Sequence, residues 1–199
     1  MQSVQAQTCG DWEHVIIYDA KRAGIQRADR ALGTHKGAVR GRYVYILDDD
    51  CRMLDEGFVA GIKAVAESGG TQPDLVMVKT RRPAGPPSNE TIFPAAGVWG
   101  YTPKHGTTNC LCYVARSALW QKHIDEFGRK PWGGDWWFLA AMLPDVVLTV
   151  WLPLLVSESR QLGRGKLFET DQQGWLEPLA ERYGFAYEKR ADVWRAHGR

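Results

Sequence analysis

The sequence predicts one α/β domain with a mostly parallel central sheet and flanking helices. Short apolar runs of the kind that form buried strands alternate with stretches whose apolar residues recur at helical spacing. This alternation favours parallel pairing, because each helix carries the chain back across the sheet before the next strand begins. The chain has 199 residues, 44% of them hydrophobic, which suffices for one sizeable core, so we assign residues 1–199 to a single domain.

The first half of the chain supplies three of the expected strands. Residues 12–19 form an apolar run that ends on an aspartate, and residues 43–47 form a second run that stops at three consecutive aspartates. From Leu54 onward, apolar side chains recur at helical spacing until a Gly-Gly pair ends the helix. Residues 74–79 are the third predicted strand.

The second half begins with a long segment, residues 79–109, that is rich in glycine and proline. A loop of that length within a compact domain is usually functional or mobile. Residues 110–114 predict a strand, and residues 146–156 predict a fully buried one. The tail over residues 171–199 has apolar residues at helical spacing and predicts a C-terminal helical segment.

Composition excludes several classes of function. The 25 Lys+Arg and 23 Asp+Glu residues leave a formal charge of +2, which gives no support for binding to nucleic acid or to an anionic membrane. The four cysteines lack the spacing of a zinc site. Residues 138–156 are apolar but contain two prolines and an aspartate, which suit a membrane span badly. We therefore expect a cytoplasmic protein without a transmembrane segment or signal peptide.

Three aspartates, Asp48, Asp49 and Asp50, directly follow the second predicted strand. In open α/β sheets, ligands bind at the carboxyl ends of strands, and adjacent carboxylates repel one another unless a cation neutralises them. Mg²⁺ and Mn²⁺ are typically held by one or two carboxylates together with substrate phosphates. Alternation along an extended chain directs Asp48 and Asp50 to the same side, which predicts that these two hold the metal. A solvated acidic turn before the following helix is the alternative.

Asp19 and a basic loop are the other candidates for nucleotide binding. Asp19 also ends a predicted strand, where a carboxylate can accept hydrogen bonds from a nucleobase or a ribose, or can simply belong to a turn. Arg160, Arg164 and Lys166 form a basic loop that contains glycine. Arginine suits bidentate phosphate contacts, so this basic loop could clamp a diphosphate; an ordinary surface loop is the alternative.

Asp135 is the candidate general base. Two glycines precede it and allow a ligand to approach the backbone, and tryptophans flank it at Trp132, Trp136 and Trp137. Indole rings exclude water and raise the pKa of a neighbouring carboxylate toward the range useful for a base. Trp132 and Trp136 are also candidates for stacking on a sugar acceptor. An aspartate that caps a Trp-rich helix is the alternative, and the five histidines receive no role.

In their order along the chain, these pieces resemble the motifs of family-two glycosyltransferases, which have the GT-A nucleotide-sugar-binding fold. Residues 3–19 resemble the family's S-x-x-x-Q-T-x-x-x-W-E-x-I-I-V-D-D stretch. Residues 41–50 are similar to its G-x-Y-I-x-x-L-D-x-D strand, which carries the metal-binding DxD. Residues 113–119 resemble the segment before the acceptor region, and residues 134–138 resemble the late E-D-W-D motif with the catalytic base.

The resemblance implies a metal-dependent, inverting glycosyltransferase that moves a sugar from a nucleoside-diphosphate donor to a glycan or other hydroxyl acceptor. Asp19 would contact the nucleobase. Asp48 and Asp49 would contact the ribose or the metal, and Asp50 would bind the Mn²⁺ or Mg²⁺ ion that bridges the diphosphate. Asp135 would deprotonate the acceptor hydroxyl, and the basic loop would stabilise the leaving nucleoside diphosphate.

The sequence departs from the family pattern in three places. The family's first strand has no counterpart before residue 3, so we expect a GT-A domain that is truncated at its N-terminus. Tyr18 and Gly134 stand where the family motifs carry acidic residues. Two other classes of function stay open: a non-catalytic nucleotide-sugar or glycan-binding module of the same fold, and a metal-dependent nucleotidyltransferase that uses the acidic triplet.

Overall fold

The computed structural model describes residues 2–17, 25–48, 51–83, 90–129, 133–159, 187–190 and 193–197. These residues form a mixed α/β structure. Its strands are β1 (Glu13–Ile17), β2 (Tyr43–Val44), β3 (Cys51–Met53), β4 (Leu75–Arg82), β5 (Thr91–Phe93), β6 (Tyr113–Arg116), β7 (Thr149–Ser159), β8 (Tyr187–Arg190) and β9 (Val193–His197). Its α-helices are α1 (Gln2–Gln5), α2 (Ile25–Thr34), α3 (Phe58–Glu67), α4 (Ser117–His123) and α5 (Gly134–Met142).

The main sheet has the strand order β2-β6-β4-β7-β3, with β5 added beside β4. Only β4 and β7 pair in parallel among the described strands, and the other pairs of this sheet are antiparallel. The prediction of a mostly parallel sheet is therefore wrong. Parallel neighbours need a crossover connection, whereas the chain between β4 and β6 returns to the sheet from the edge where β4 ends.

A second, smaller sheet joins the two ends of the chain. Strand β1 pairs antiparallel with β9 from Glu13↔His197 to Ile17↔Val193, and β9 pairs with β8. The strand predicted over residues 12–19 thus exists, but it belongs to this sheet and not to the main one. The sequence predicts a helical tail over residues 171–199, but its last part forms strands β8 and β9. Strand β1 supplies the backbone partners for β9, and helical spacing of apolar residues gives no sign of such a distant partner. Residues 171–186 lie outside the described residues.

The hydrophobic core lies on both faces of β4. Leu75 and Met77 pack in a cluster with buried residues of α4 and α5, whereas Val76 and Val78 pack in a second cluster with α3. All four side chains are fully buried. Successive residues of a strand point to opposite faces, so a continuous apolar run is what a strand covered on both sides requires.

The segment predicted as a long loop, residues 79–109, is partly a β-hairpin. Strand β4 continues through Arg82, and β5 pairs with it from Thr80↔Phe93 to Arg82↔Thr91. After β5 the chain makes a closed loop, residues 95–107, whose ends are joined by a hydrogen bond from the Ala95 amide to the Thr107 carbonyl at 3.1 Å. This closed loop extends from the edge of the main sheet at which β4 ends.

None of the helices in the described parts of the chain combines the length and the apolar composition needed to cross a bilayer.

Candidate functional site

Asp48 lies at the edge of the main sheet where three strands end. Strand β2 runs in the same direction as β4, because both pair antiparallel with β6 between them, and β7 is parallel to β4. The chain leaves β2 and reaches Asp48, whose carbonyl accepts a hydrogen bond from the Cys51 amide at 3.0 Å, closing a turn before β3. The Asp48 side chain is exposed, and its Oδ2 accepts a hydrogen bond from the Cys110 thiol at 3.4 Å. Asp49 and Asp50 lie outside the described residues.

Asp135 lies in the first turn of α5. The helix begins after Gly133, which has a φ of 72°, a left-handed conformation that favours glycine. Gly133 and not Asp135 is the cap residue, and Asp135 Oδ1 accepts a hydrogen bond from the Trp136 amide at 2.8 Å. The first amides of a helix lack partners within it and favour negative charge, so this position accommodates a carboxylate.

Burial sets the protonation behaviour of Asp135. Desolvation raises the pKa of this carboxyl above its ordinary value, and the hydrogen bond from the Trp136 amide and the charge of His105 act in the opposite direction. A half-buried carboxylate with a raised pKa holds a proton more readily than an exposed one. The arrangement is that of a group able to accept a proton from a ligand.

The segment Asn109–Tyr113 connects Asp48 to Asp135. Its Cys110 thiol donates to the Asp48 carboxylate, and its Tyr113 hydroxyl donates to the main-chain carbonyl of Asp135 at 3.1 Å. Residues Cys110–Cys112 form a 3₁₀ turn capped by Asn109, whose Oδ1 accepts from the Leu111 amide at 3.0 Å. The segment Asn109–Tyr113 therefore fixes the position of Asp48 relative to the start of α5.

The Cys110 thiol hydrogen-bonds to the Asp48 carboxylate, and its pKa responds to the charge of both aspartates. Burial raises the pKa of Cys110 well above its usual value, and the negative charges of Asp48 and Asp135 raise it further. The thiol is consequently neutral at physiological pH and acts as a hydrogen-bond donor. Two of the aspartates singled out from the sequence are thus brought into one site.

The aromatic side of the site combines α5 with the closed loop. The His105 ring meets the Trp136 ring edge-on, with centroids 5.6 Å apart and an interplanar angle of 86°. Trp136 is half-buried and Trp137 is exposed, while Trp132 lies outside the described residues. A half-buried indole next to a carboxylate is a suitable platform for a flat, partly apolar ring.

The basic loop and Asp19 lie outside the described residues, but the end of β7 is described. Ser159 pairs with Cys51, the residue that closes the Asp48 turn, and Arg160 is the next residue in the chain. Two described arginines near this point are engaged elsewhere: Arg81 and Arg52 both form ion pairs with the buried Glu158, at 2.6 and 2.5 Å.

Sequence reasoning missed three contributors to this site: His105, Cys110 and Tyr113. In the sequence, the cysteines lack the spacing of a zinc site and the histidines receive no role. Their positions depend on how the closed loop and the 3₁₀ turn pack against α5, for which a single sequence carries no local signal. The buried pattern of Tyr113 in a predicted strand was the only hint.

Within the described residues, no group of three or more His, Cys, Asp or Glu side chains could hold a metal ion. Mg²⁺ commonly uses only one or two carboxylates together with substrate phosphates. Asp48 has an exposed carboxylate at this edge of the sheet.

Comparison with known proteins adds no family assignment. No family model matches the chain, and no curated protein matches it.

Proposed function

We propose that this protein is a metal-dependent, inverting glycosyltransferase of the GT-A type, which moves a sugar from a nucleoside-diphosphate donor to a hydroxyl acceptor. The observation that carries the proposal is the contact of one segment, Asn109–Tyr113, with both aspartates: the Cys110 thiol donates to the Asp48 carboxylate, and the Tyr113 hydroxyl donates to the main-chain carbonyl of Asp135. Asp48 and Asp135 are 87 positions apart in the chain, and they come from the two sequence motifs that suggested a metal ligand and a base.

In the proposed reaction, Asp135 accepts the proton of the acceptor hydroxyl. The acceptor oxygen forms a bond to the anomeric carbon of the donor while the bond from that carbon to the diphosphate oxygen breaks, which inverts the configuration. The nucleoside diphosphate leaves with the electron pair of that bond. The raised pKa of Asp135 suits this role, since a base is most effective when its pKa approaches the working pH.

The remaining predicted residues serve the donor. Asp48 and Asp50 would hold Mn²⁺ or Mg²⁺, which when bound neutralises charge on the diphosphate. Asp19 and Asp49 would contact the nucleoside, and the basic loop of Arg160, Arg164 and Lys166 would contact the diphosphate. Trp132 and Trp136 would stack on the acceptor. The contact between Cys51 and Ser159 supports the diphosphate assignment, because the basic loop begins at the residue after Ser159.

Titration calorimetry tests the donor half of the proposal. UDP-, GDP- and dTDP-sugars are titrated into the full chain with Mn²⁺ and again with excess chelator. We expect at least one donor to bind with Mn²⁺ and to lose binding when the metal is removed. If none of the donors binds in a metal-dependent manner, the proposal is wrong.

Product analysis tests the chemical half. With a bound donor and a panel of glycan acceptors, we expect release of a nucleoside diphosphate and an inverted glycosidic linkage. Release of pyrophosphate from a nucleoside triphosphate would instead identify a nucleotidyltransferase. Metal-dependent donor binding without any product from the panel, and with no change in donor hydrolysis on replacing Asp135, would identify a non-catalytic binding module.

A further inference from the structure

We propose that His105 is a positioning residue for Asp135: the closed loop holds its imidazole edge-on against Trp136, whose backbone amide donates to the Asp135 carboxylate. This inference rests on the proposed function only for its catalytic consequence. The effect of His105 on Asp135 is a property of the folded chain and can be measured without turnover.

The closed loop has a defined geometry that supports this role. The Ala95 amide donates to the Thr107 carbonyl at 3.1 Å, and the Thr107 hydroxyl donates to the Lys104 carbonyl at 2.6 Å. His105 lies within this turn, so its backbone is held by bonds on both sides. The edge-on contact with Trp136 then fixes the imidazole next to the first turn of α5.

The other end of the closed loop is also anchored. Trp99 packs edge-on against Trp151 of β7, with centroids 4.9 Å apart, and the Lys79 ammonium lies 4.8 Å from the centre of a Trp99 ring. These contacts attach the loop to the main sheet at two neighbouring strands. The loop is therefore built against the sheet on one side and against α5 on the other, with His105 on the α5 side.

The charges that face Asp135 explain why an imidazole matters there. The neighbouring Cys110, Cys112 and Tyr113 side chains are buried, and burial raises the pKa of each, to about 12 for Cys112. Near neutral pH these groups are uncharged and cannot offset the desolvation of the carboxylate. Among the described side chains, His105 supplies the charge that lowers the pKa of Asp135 against this desolvation.

A base in this position needs a balance of two effects. Desolvation alone would leave the Asp135 carboxyl protonated over a wider pH range and unable to accept a proton from the acceptor. The charge of His105 acts against this desolvation while the carboxylate stays out of water. His105 and Trp136 come from different elements, so the packing of the loop against α5 is what brings the imidazole and the indole together.

Carboxyl-carbon NMR of the full chain tests the pairing directly. The Asp135 signal is assigned by its loss in Asp135→Asn, and its pKa is then compared in wild type, His105→Gln and His105→Phe. Phenylalanine retains a ring to meet Trp136 but carries no charge. We expect the Asp135 pKa to rise in both variants, and an unchanged Asp135 pKa in both would overturn the inference.

Lys104→Gln is the matched control, because it removes one positive charge from the same loop at the adjacent position. We expect it to leave the Asp135 pKa unchanged, and a rise equal to that in His105→Phe would overturn the specific role of His105. If the protein transfers sugar, the acid limb of its pH–rate profile should move to higher pH in His105→Phe by the same interval as the Asp135 pKa. If no donor binds but the Asp135 pKa still rises, the pairing is supported and only the proposed function fails.

Discussion

Asp48 and Asp135 are the same residue type in two different surroundings. Asp48 is exposed on a turn at the end of a strand, whereas Asp135 is half-buried in the first turn of α5 and has a raised pKa. Exposure leaves a carboxylate accessible to a cation, while desolvation makes a carboxylate take up a proton more easily. In the proposed reaction, the surroundings of each aspartate therefore decide which one would bind the metal and which one would act as the base.

The largest effect should come from replacing Asp135 with asparagine. The amide retains the size and an acceptor oxygen but cannot take the acceptor proton, so we expect the transfer rate to fall by about 10²–10⁴-fold. Metal-dependent donor binding should stay close to that of wild type, because Asp135 does not contact the donor in the proposed scheme. Single-turnover rates and calorimetry on the same preparation measure the two quantities.

Asp145→Asn is the control for that variant, since Asp145 follows the other end of α5 and forms exposed bonds with Lys122 and His123. It should leave the transfer rate unchanged. Loss of donor binding in Asp135→Asn with an unaltered rate at saturating donor would reverse the assignment of the two carboxylates.

The next largest effect should come from Asp48→Asn. An amide is a weaker ligand for a hard cation, and loss of even an outer-shell partner typically costs 10–100-fold in metal affinity, so we expect Mn²⁺-dependent donor binding to weaken by at least about tenfold. The rate at saturating donor and metal should change less than in Asp135→Asn. Asp125→Asn, an exposed aspartate paired with Lys36, is the control and should bind the donor like wild type. Equal donor affinity in Asp48→Asn and wild type would contradict the metal assignment.

The two carboxylates also show which parts of the structure a sequence can predict. The run that ends at Asp48 and the glycines before Asp135 are local signals, and the structure places Asp48 after β2 and Asp135 in the first turn of a helix. Local signals do not specify partners far along the chain. The pairing of β1 with β9 joins residues near opposite ends of the chain, and the antiparallel β6 follows from the path between β4 and β6.

The contact of His105 with Trp136 belongs to the same class of unpredicted features. It depends on the hydrogen bond that closes residues 95–107 and on the packing of that loop against α5, neither of which leaves a periodic pattern. The same holds for Cys110, which looked like a strand residue and instead begins a 3₁₀ turn directed at Asp48.

The smallest expected effect concerns Cys110, whose thiol donates a hydrogen bond to the Asp48 carboxylate and not to that of Asp135. Cys110→Ala removes the donor and should leave the Asp48 carboxylate less well oriented, whereas Cys110→Ser supplies a hydroxyl donor in its place. A thiol is a weak donor, so we expect the alanine variant to lose about 1 kcal/mol of donor binding, roughly fivefold in affinity, and the serine variant to lose less. Cys9→Ala, a half-buried cysteine outside the site, should bind the donor like wild type.

Calorimetry with Mn²⁺ measures the affinities, and a chemical denaturation curve for each variant shows whether its fold is intact. If the serine and alanine variants lose the same affinity while both remain folded, the thiol fills space beside Asp48 and does not orient it.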